Sequence, residues 1–323
     1  MSVAEAVDVL RRGGLVAFPT ETVYGLGCDA ESAEAIARLY AVKGRPLDHP
    51  VIVHLSGPGP RGPGLDDPEL GGWAESLPSS ARVLAESLWP GPLTLLVRRG
   101  RRVLDAVAGG RETVGLRIPD HPVARELLEA FGGGVAAPSA NRFGRVSPTT
   151  ADDVRADLDG DVDVVLDGGP SRVGVESTIV DCTTPTPAIV RLGGVTREQV
   201  EDLVGPTALA TAGEVVAPGT LRSHYAPTAR VVLTDRAALA ARATGFLASG
   251  KTVGVLAIGS LSADLPAGVV ALASPADDEE YARVLYPSLR AADHAHLDVV
   301  VAVPPESVGI GAAVADRLER ASS

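Results

Sequence analysis

The chain has 323 residues, the usual length of about two domains. Its net charge of −12 argues against a general nucleic-acid coat, because such a coat needs a broad basic face. Hydrophobic residues make up 45% and aromatic residues only 3%, so the cores must be built from Ala, Val and Leu, as in parallel α/β layers. No apolar run approaches the ~18 residues of a membrane span, and the N-terminus lacks a signal-peptide pattern. We therefore expect a cytoplasmic protein.

Helix and strand patterns alternate through the first two-thirds of the chain. Ser2 and Glu5 form a capping box that predicts a first helix ending before Gly13, and Thr196 and Gln199 form another. The hydrophobic periodicity predicts further helices at 32–42, 80–88, 123–131 and 151–158, and strands at 15–18, 51–55, 93–97, 114–118, 135–137, 162–166, 178–181 and 188–191. Several of these strands are adjacent in sequence, which favours a mixed α/β sheet over a pure βαβ repeat.

The composition changes after this first part. Residues 207–228 are rich in Ala, Thr, Gly and Pro and are predicted to be an interdomain linker, while the Gly/Pro-rich stretch 56–72 is predicted to be a long surface loop. Residues 229–323 follow with strands at 230–234, 252–258, 268–272 and 297–303 and helices at 235–248, 277–291 and 312–321. This spacing predicts a small doubly wound domain.

One segment imitates a phosphate-binding P-loop. Gly245 to Thr252 matches the pattern, but a P-loop requires a strand before it and a helix after it, so that the loop amides and the helix N-terminus face phosphate. Here a predicted helix precedes and a predicted strand follows. We therefore interpret Gly250 as a helix end and Lys251 as the start of a strand.

Lysine and asparagine are scarce in this chain. Among 29 Lys and Arg residues only Lys43 and Lys251 are lysine, and Asn141 is the one asparagine. Arg replaces a generic surface Lys, but its wide planar fork does not replace a compact ammonium that must reach an oxyanion. Lys43 and Arg45, separated by one glycine, suit a polyphosphate; the alternative is that they suit the dipole at a helix end.

Polar residues at predicted strand ends form a second candidate group. Thr20 and Glu21 follow the first strand, and Thr113 and Arg117 share one face of a later strand, away from its apolar face. A buried Arg needs an anionic partner, which is either a ligand carboxylate or an internal Asp. Ser139, in a Pro-Ser-Ala-Asn turn, either binds ribose or phosphate or closes the turn.

Two further features have ordinary interpretations. The basic cluster 98–102 is typical of a solvated turn after a strand. Cys28 and Cys182 lie far apart, without a second Cys or His at metal spacing, so we expect two small core residues rather than a zinc site.

Taken in order, the motifs resemble one family. The chain contains Pro-Thr-Glu-Thr-Val-Tyr-Gly-Leu-Gly (19–27), Lys-Gly-Arg-Pro (43–46), Trp-Pro-Gly-Pro-Leu-Thr (89–94), Gly-Leu-Arg-Ile-Pro (115–119), Pro-Ser-Ala-Asn (138–141), Gly-Val-Glu-Ser-Thr (174–178) and His-Tyr-Ala-Pro (224–227). This set resembles the YrdC-like threonylcarbamoyl-adenylate synthases in their long form. The resemblance implies a YrdC-like catalytic domain at 1–206, a mixed twisted sheet with a concave active-site cleft. It also implies a linker or lid at 207–228 and a Rossmann-like accessory domain at 229–323.

The resemblance implies a reaction as well. Members combine L-threonine, bicarbonate and ATP into threonylcarbamoyl-adenylate and release pyrophosphate, and the product feeds modification of the adenosine beside the tRNA anticodon. The partners expected from the resemblance are these three substrates and a downstream tRNA threonylcarbamoyl-transferase complex, with no membrane and no stable nucleic-acid binding. Mg²⁺ is expected with ATP, without a protein-only metal site.

The resemblance further implies roles for single residues. Lys43 and Arg45 would be catalytic and hold the ATP phosphates, and the other nucleotide-binding residues would be Leu47, Thr113, Ser139, Asn141, Ser147, Arg191 and, from the linker, Tyr225. L-threonine would be held by Thr20, His54, Arg117, Ala137 and Ser177, with Arg117 on its carboxylate.

Two other functions compete with this one. Hydrogenase maturation proteins with a YrdC-like domain perform carbamoyl-adenylate chemistry, but they carry zinc-finger cysteines and an acylphosphatase module that this sequence lacks. An RNA-binding module is the non-enzymatic alternative, and the charge of −12 and the few aromatic platforms weigh against it.

Overall fold

The chain forms two compact units. The computed structural model describes residues 1–57, 62, 64, 66–67, 70–210, 225–261 and 265–323. Within these limits the first unit comprises residues 1–143, 147–172 and 176–220, and the second comprises 144–146, 173–175 and 221–323. None of the described helices is long and apolar enough to cross a membrane.

The first unit mixes helices with one large sheet. Its helices are α1 (Val3–Arg11), α2 (Ala33–Lys43), α3 (Ser79–Leu88), α4 (Asp105–Ala108), α5 (Pro122–Phe131), α6 (Ala151–Leu158) and α7 (Arg197–Val204), with a 3-10 turn at Leu70–Gly72. Its strands are β1 (Val16–Phe18), β2 (Gly25–Asp29), β3 (Ile52–His54), β4 (Leu93–Arg98), β5 (Thr113–Arg117), β6 (Val135–Ala136), β7 (Val164–Val165), β8 (Thr178–Asp181), β9 (Ala188–Arg191) and β10 (Ala208–Leu209).

These ten strands form a single mixed sheet in the order β10-β9-β8-β4-β5-β3-β6-β2-β1-β7. Parallel pairs such as β3–β5 and β4–β8 stand beside antiparallel pairs such as β4–β5 and β8–β9. The predicted mixed α/β sheet is therefore confirmed. Its core is mainly aliphatic, as the composition predicts, with Trp73 and Tyr24 buried among Ala, Val and Leu side chains.

Local sequence signals explain where the helices begin and end. Both predicted capping boxes are present: the Ser2 side chain accepts from the Glu5 amide, and the Thr196 side chain accepts from the Gln199 amide. Gly44 adopts φ 64°, the left-handed conformation that ends helices at low cost for glycine. This turn makes Lys43 the last residue of α2.

Four elements were not predicted. The 3-10 turn Leu70–Gly72 falls in the predicted surface loop, yet Leu70 is buried in the core. β2 lies in the Gly-rich motif 19–27, where Gly27 allows a close approach: a Cβ there would lie 2.7 Å from Val135 Cγ1 and 2.8 Å from Phe18 Cε1. The short helix α4 carries too few residues for a periodic signal. β10 lies inside the predicted linker and pairs in parallel with β9.

Parts of two predicted segments lie outside the described residues. Residues 211–224 of the predicted linker and residues 58–61, 63, 65 and 68–69 of the predicted loop belong to these parts. The predicted domain boundaries at 206 and 228 therefore stay predictions.

The second unit contains a four-stranded parallel sheet. Its strands β11 (Arg230–Leu233), β12 (Val253–Leu256), β13 (Val269–Ala273) and β14 (Val299–Ala302) are ordered β11-β14-β12-β13, and its helices are α8 (Leu239–Ala248), α9 (Asp278–His294) and α10 (Gly311–Ala321). The predicted small doubly wound sheet is confirmed. The rejected P-loop segment does run from a helix, α8, into a strand, β12, and Lys251 pairs at 3.2 Å with Asp298 on the surface.

Candidate active site

Lys43 lies in a buried cluster of main-chain oxygens. Its Nζ atom donates to the carbonyl oxygens of Ser139 at 2.5 Å and Asn141 at 2.6 Å, and it lies 3.5 Å from Asn141 Oδ1. The side chain is only 3% exposed. The C-terminal position of Lys43 on α2 and the turn after β6 therefore bring the scarce lysine and the single asparagine together.

The Lys43 ammonium has cations for neighbours. Burial, and then the nearby Arg45 guanidinium, hold the pKa of Lys43 well below its usual range; Asp157 opposes this shift and Arg142 adds to it. No carboxylate among the described residues lies within ion-pair distance of Nζ. A buried cation in this environment gains from an anionic ligand, because the ligand supplies the missing opposite charge.

Arg45 lies beside Lys43 and is held by main-chain oxygens. Its Nη2 donates to Pro50 O at 2.8 Å and its Nε to His49 O at 3.3 Å, while the guanidinium lies 5.8 Å from the centre of the Phe143 ring. Leu47, in the same segment, is 68% exposed. The Lys-Gly-Arg-Pro segment thus presents two fixed cations and one accessible apolar side chain.

A second buried cluster contains the pair Arg117–Glu21. Arg117 Nη2 donates to Glu21 Oε1 at 2.7 Å, and Glu21 Oε2 accepts from the Asp120 amide at 3.0 Å. The two side chains are only 5% and 2% exposed. The anionic partner of Arg117 within the protein is therefore a glutamate from the loop after β1, where the sequence left an internal Asp or a ligand carboxylate open.

Strand pairing places this cluster at the ends of β3 and β5. His54 and Arg117 are register partners and end these two parallel strands. Arg117 Nε lies 3.4 Å from Gly91 O, in the Trp-Pro-Gly-Pro motif, and the Gly91 amide donates to Ile118 O at 2.8 Å. Nη1 of Arg117 makes no hydrogen bond to any described residue and remains available to a ligand.

His54 is a neutral imidazole in this cluster. Burial, reinforced by the positive charge of Arg117, lowers its pKa to about 3. Its Nδ1 atom is buried without a hydrogen-bond partner among the described residues. A buried acceptor without a donor is costly, so this atom is suited to accept a hydrogen bond from a bound hydroxyl or amine.

A third cluster joins Ser177 to Arg191. β8 and β9 are antiparallel, which brings the residue before β8 next to the end of β9. Arg191 Nη2 donates to Ser177 O at 2.8 Å and lies 3.0 Å from Ser177 Oγ. The Ser177 and Thr94 hydroxyls are 2.8 Å apart in a fully buried position. The contact between Arg191 and Ser177 joins a residue predicted to bind the nucleotide to one predicted to bind threonine.

Ser147 belongs to another buried polar pair. Its hydroxyl donates to Glu176 Oε1 at 2.7 Å. Glu176 directly precedes Ser177 in the chain. The motif 19–27 connects these loops through its main chain: the Tyr24 amide donates to Pro148 O at 2.9 Å, and the Ala140 amide donates to Tyr24 O at 2.9 Å. Thr20 O accepts from Ser171 Oγ at 3.1 Å.

The structure does not join every predicted residue to these clusters. Thr113 begins β5, four residues or about 13 Å from Arg117 at its other end. Ala137 is buried and donates through its amide to Ile52 O at 2.9 Å. Tyr225 belongs to the second unit, where its ring stacks on Tyr286 at 5.7 Å and lies 5.0 Å from the Arg317 guanidinium. The ligand roles of all the predicted residues stay predictions.

Sequence reasoning placed Glu21 in a candidate group without a specific role, and it did not single out Thr94 or Glu176. Glu21 and Glu176 are 2% and 6% exposed, and a buried carboxylate is rare unless it is paired. Their positions inside two of the recognised motifs were a usable signal. Thr94 also ends one of these motifs, 89–94, although a single threonine in an apolar strand is common.

The basic cluster 98–102 and the two cysteines have the ordinary roles predicted for them. Arg99 of the basic cluster pairs with Asp105 and Glu112, and Arg102 pairs with Glu31. Both cysteines are buried and unpaired, and burial raises the pKa of each thiol. Among the described residues no group of three or more His, Cys, Asp or Glu is placed to hold a metal ion.

Comparison with known proteins defines the class. The family profile described as "Telomere recombination" matches residues 8–193, and the profile described as "Threonylcarbamoyl-AMP synthase, C-terminal domain" matches residues 195–323. The two profiles together describe a YrdC-type domain followed by this C-terminal domain.

Relatives match along the whole chain. A threonylcarbamoyl-AMP synthase of Pyrococcus abyssi is 39% identical over 98% of this chain and 93% of its own length, and one of Bacillus subtilis is 38% identical over 99% and 92%. The chain belongs to the threonylcarbamoyl-AMP synthase family and is an enzyme of the nucleotidyl-transfer type. The resemblance stated from the motifs is thereby confirmed.

Solved structures agree with this family. The crystal structure of P. abyssi Sua5 complexed with L-threonine matches with a TM-score of 0.90 and 38% identity, covering 99% of this chain and 94% of that chain. A full-length HypF structure matches with a TM-score of 0.50 and 19% identity over 60% of this chain and 29% of that chain. The HypF likeness extends to the fold alone.

Proposed function

We propose that this enzyme condenses L-threonine, bicarbonate and ATP into threonylcarbamoyl-adenylate with release of pyrophosphate. The product would then serve a tRNA threonylcarbamoyl-transferase complex. The observation that carries the proposal is the buried Lys43 ammonium, which has Arg45 beside it and no carboxylate within ion-pair distance among the described residues. Such a cation needs an anionic ligand, and the phosphates of ATP supply one.

Arg117 supports the threonine half of the proposal. Its Nη1 faces no described hydrogen-bond partner, while Nη2 and Nε are held by Glu21 and Gly91. A carboxylate bound at this free part of the guanidinium would be oriented by a fixed group. The neutral Nδ1 of His54, the residue paired with Arg117 in the sheet, would accept a hydrogen bond from the same substrate.

The chemistry needs orientation more than a nucleophile on the protein. The threonine ammonium gives a proton to bicarbonate, which loses water to form CO2. The free amine then attacks the carbon of CO2 and loses a second proton to become a carbamate. A carbamate oxygen then attacks the α-phosphorus of ATP, and the bond from that phosphorus to the β-phosphate oxygen breaks as pyrophosphate leaves. Aligning bound reactants lowers such barriers by roughly 7–11 kcal/mol. Fixed cations add electrostatic stabilisation of the transferring phosphoryl group.

Magnesium would enter with ATP. Mg²⁺ is usually held by substrate phosphates and one or two carboxylates, and the described residues offer no cage of three or more ligands. When bound, the ion would neutralise charge on the phosphates. Lys43 and Arg45 would hold the same phosphates from the protein side.

The test is product formation from the three substrates. Purified enzyme with ATP, Mg²⁺, bicarbonate and L-threonine should release pyrophosphate and yield threonylcarbamoyl-adenylate by mass spectrometry. Omission of bicarbonate in CO2-free buffer, or of threonine, should abolish both signals. Pyrophosphate release that needs neither would contradict the proposal, and a salt-sensitive affinity for bare RNA would favour the RNA-binding alternative.

A further inference from the structure

Glu21 neutralises the cation that is proposed to bind the substrate carboxylate. Its Oε1 accepts from Arg117 Nη2 at 2.7 Å, and the pair is almost completely buried. Of the five N–H groups of a guanidinium, Glu21 and Gly91 take one each, and Nη1, with two, has no described partner. Arg117 therefore offers hydrogen bonds to a ligand while its charge is already matched.

The second oxygen of Glu21 fixes the geometry of this pair. Oε2 accepts from the Asp120 amide at 3.0 Å, three residues after Arg117. The glutamate thus accepts one hydrogen bond from the side chain at the end of β5 and one from the main chain just beyond it. This double attachment holds Arg117 in one orientation, since a displaced carboxylate would lose both bonds.

The two imidazoles close to this pair carry no charge at neutral pH. Burial, and then the Arg117 charge, lower the pKa of His54 to about 3, and burial lowers the pKa of His121, which faces Glu21 and the exposed pair Asp120–Arg172. Within this cluster the buried charges are therefore one plus and one minus, whereas buried Arg191 and Glu176 are bonded to Ser177 and Ser147 in the other clusters. Before a ligand binds, their sum is zero.

A neutral buried site discriminates between ligands by charge. A zwitterionic amino acid brings a carboxylate and an ammonium and leaves the sum at zero. A carboxylate without an amine leaves one net negative charge in a poorly hydrated place, which is unfavourable. Without Glu21 the preference between these two ligands reverses, because the site then has one net positive charge and a simple carboxylate neutralises it.

We infer that Glu21 is a positioning and specificity-determining residue, which holds Arg117 and sets the charge of the site so that it selects a zwitterionic amino acid over a simple carboxylate. The inference rests on the proposed function, in which Arg117 binds the carboxylate of threonine. It requires no new chemical step.

The experiment compares two ligands on matched variants. Dissociation constants are measured for L-threonine, by equilibrium dialysis, and for (R)-3-hydroxybutyrate, which is threonine without its amine, by competition against labelled threonine. In Glu21→Gln the ratio of the 3-hydroxybutyrate constant to the threonine constant should fall at least about tenfold, because one buried charge is removed. Asp152→Asn, which neutralises an exposed carboxylate paired with Arg155 at 2.6 Å, should leave the ratio unchanged.

A purely structural role for Glu21 would weaken both ligands equally and leave the ratio as in wild type, which would overturn the inference. Glu21→Asp keeps the charge but shortens the side chain, so both affinities should weaken while the ratio stays within about threefold of wild type. This variant also decides the matter if Glu21→Gln does not fold, since a large fall of the ratio in Glu21→Asp contradicts the charge argument. Failure of the wild-type enzyme to bind threonine would instead overturn the proposed function and the inference with it.

Discussion

The Lys43 ammonium donates a 2.6 Å hydrogen bond to the carbonyl oxygen of Asn141, which lies 98 residues further along the chain. The contact joins the end of α2 to the turn after β6. It leaves a compact cation in a space bounded by main-chain oxygens, with a second bond to Ser139. A larger cation at this position would push against main-chain atoms that cannot move independently.

Lys43→Arg should therefore lose most activity. The guanidinium is wider than the ammonium, and insertion into a site only 3% exposed costs about 1–3 kcal/mol in strain. We expect kcat/KM for ATP to fall at least about 100-fold, or about 2.7 kcal/mol. Pyrophosphate release measures the rate, and circular dichroism checks the fold.

The chain supplies a matched control in its other lysine. Lys251 is about half exposed and pairs with Asp298 on the surface, so Lys251→Arg should change stability by less than about 0.5 kcal/mol and leave kcat/KM unchanged. Equal activity of the two arginine variants would show that the lysine at position 43 is incidental.

Thr94→Val should impair the threonine side of the site. The substitution removes the hydroxyl 2.8 Å from Ser177 Oγ, in a position with no exposure. Losing one buried hydrogen bond costs about 1–3 kcal/mol of stability, and the KM for threonine should rise about fivefold or more as Ser177 loses a fixed partner. Thr94→Ser keeps the hydroxyl and is the control; a wild-type KM in Thr94→Val would contradict a role for this bond. Urea denaturation and steady-state kinetics give the two values.

Gly193→Ala should disturb the main chain around Ser177. A Cβ at this position would lie 2.2 Å from Glu176 O and 2.5 Å from Ser177 C, so the main chain must shift. We expect a loss of about 1–3 kcal/mol in the free energy of unfolding and a higher KM for threonine. Gly245→Ala, on an exposed face of α8 with no atom within 4 Å of the new Cβ, should instead stabilise by up to about 1 kcal/mol. Thermal unfolding of both variants tests the contrast, and equal shifts would contradict it.

His54 should make stability depend on pH in acid. Its pKa is about 3 in the folded protein, below its ordinary value of 6.5, because burial and Arg117 disfavour the charged form. Between pH 6.5 and 3 His54 is therefore protonated in the unfolded state but not in the folded state. As the pH falls through this range, His54 lowers the free energy of unfolding. The slope from this one group is about 1.4 kcal/mol per pH unit.

His54→Gln should remove that contribution. Between pH 6.5 and 5 the variant should lose roughly 2 kcal/mol less stability than the wild type, measured by urea unfolding at each pH. His294→Gln, at the end of α9, is a control in the second unit. Parallel pH profiles for wild type and His54→Gln would show that His54 is accessible to protons in the folded state.

Local signals in the sequence predicted most of the secondary structure. Capping boxes at Ser2 and Thr196, the glycine after Lys43 and the reversed order around Lys251 all depend on residues close together in the chain. β2 was missed because its glycines indicate a turn, and only the packing of Gly27 against Phe18 and Val135 makes them a strand. The space for a side chain at position 27 is set by residues 18 and 135, which the fold brings together.

By itself the sequence determined the family, the mixed and parallel sheets and the motifs that contain Lys43, Arg117 and Ser177. Only the tertiary structure decided that the partner of Arg117 is Glu21, that Lys43 contacts Ser139 and Asn141, and that Thr94 supports Ser177. The physical reason is the separation along the chain of the residues that interact. Caps, turns and periodicity act over a few residues, whereas a buried charge or hydroxyl is satisfied by whichever group the strand order brings within about 3 Å.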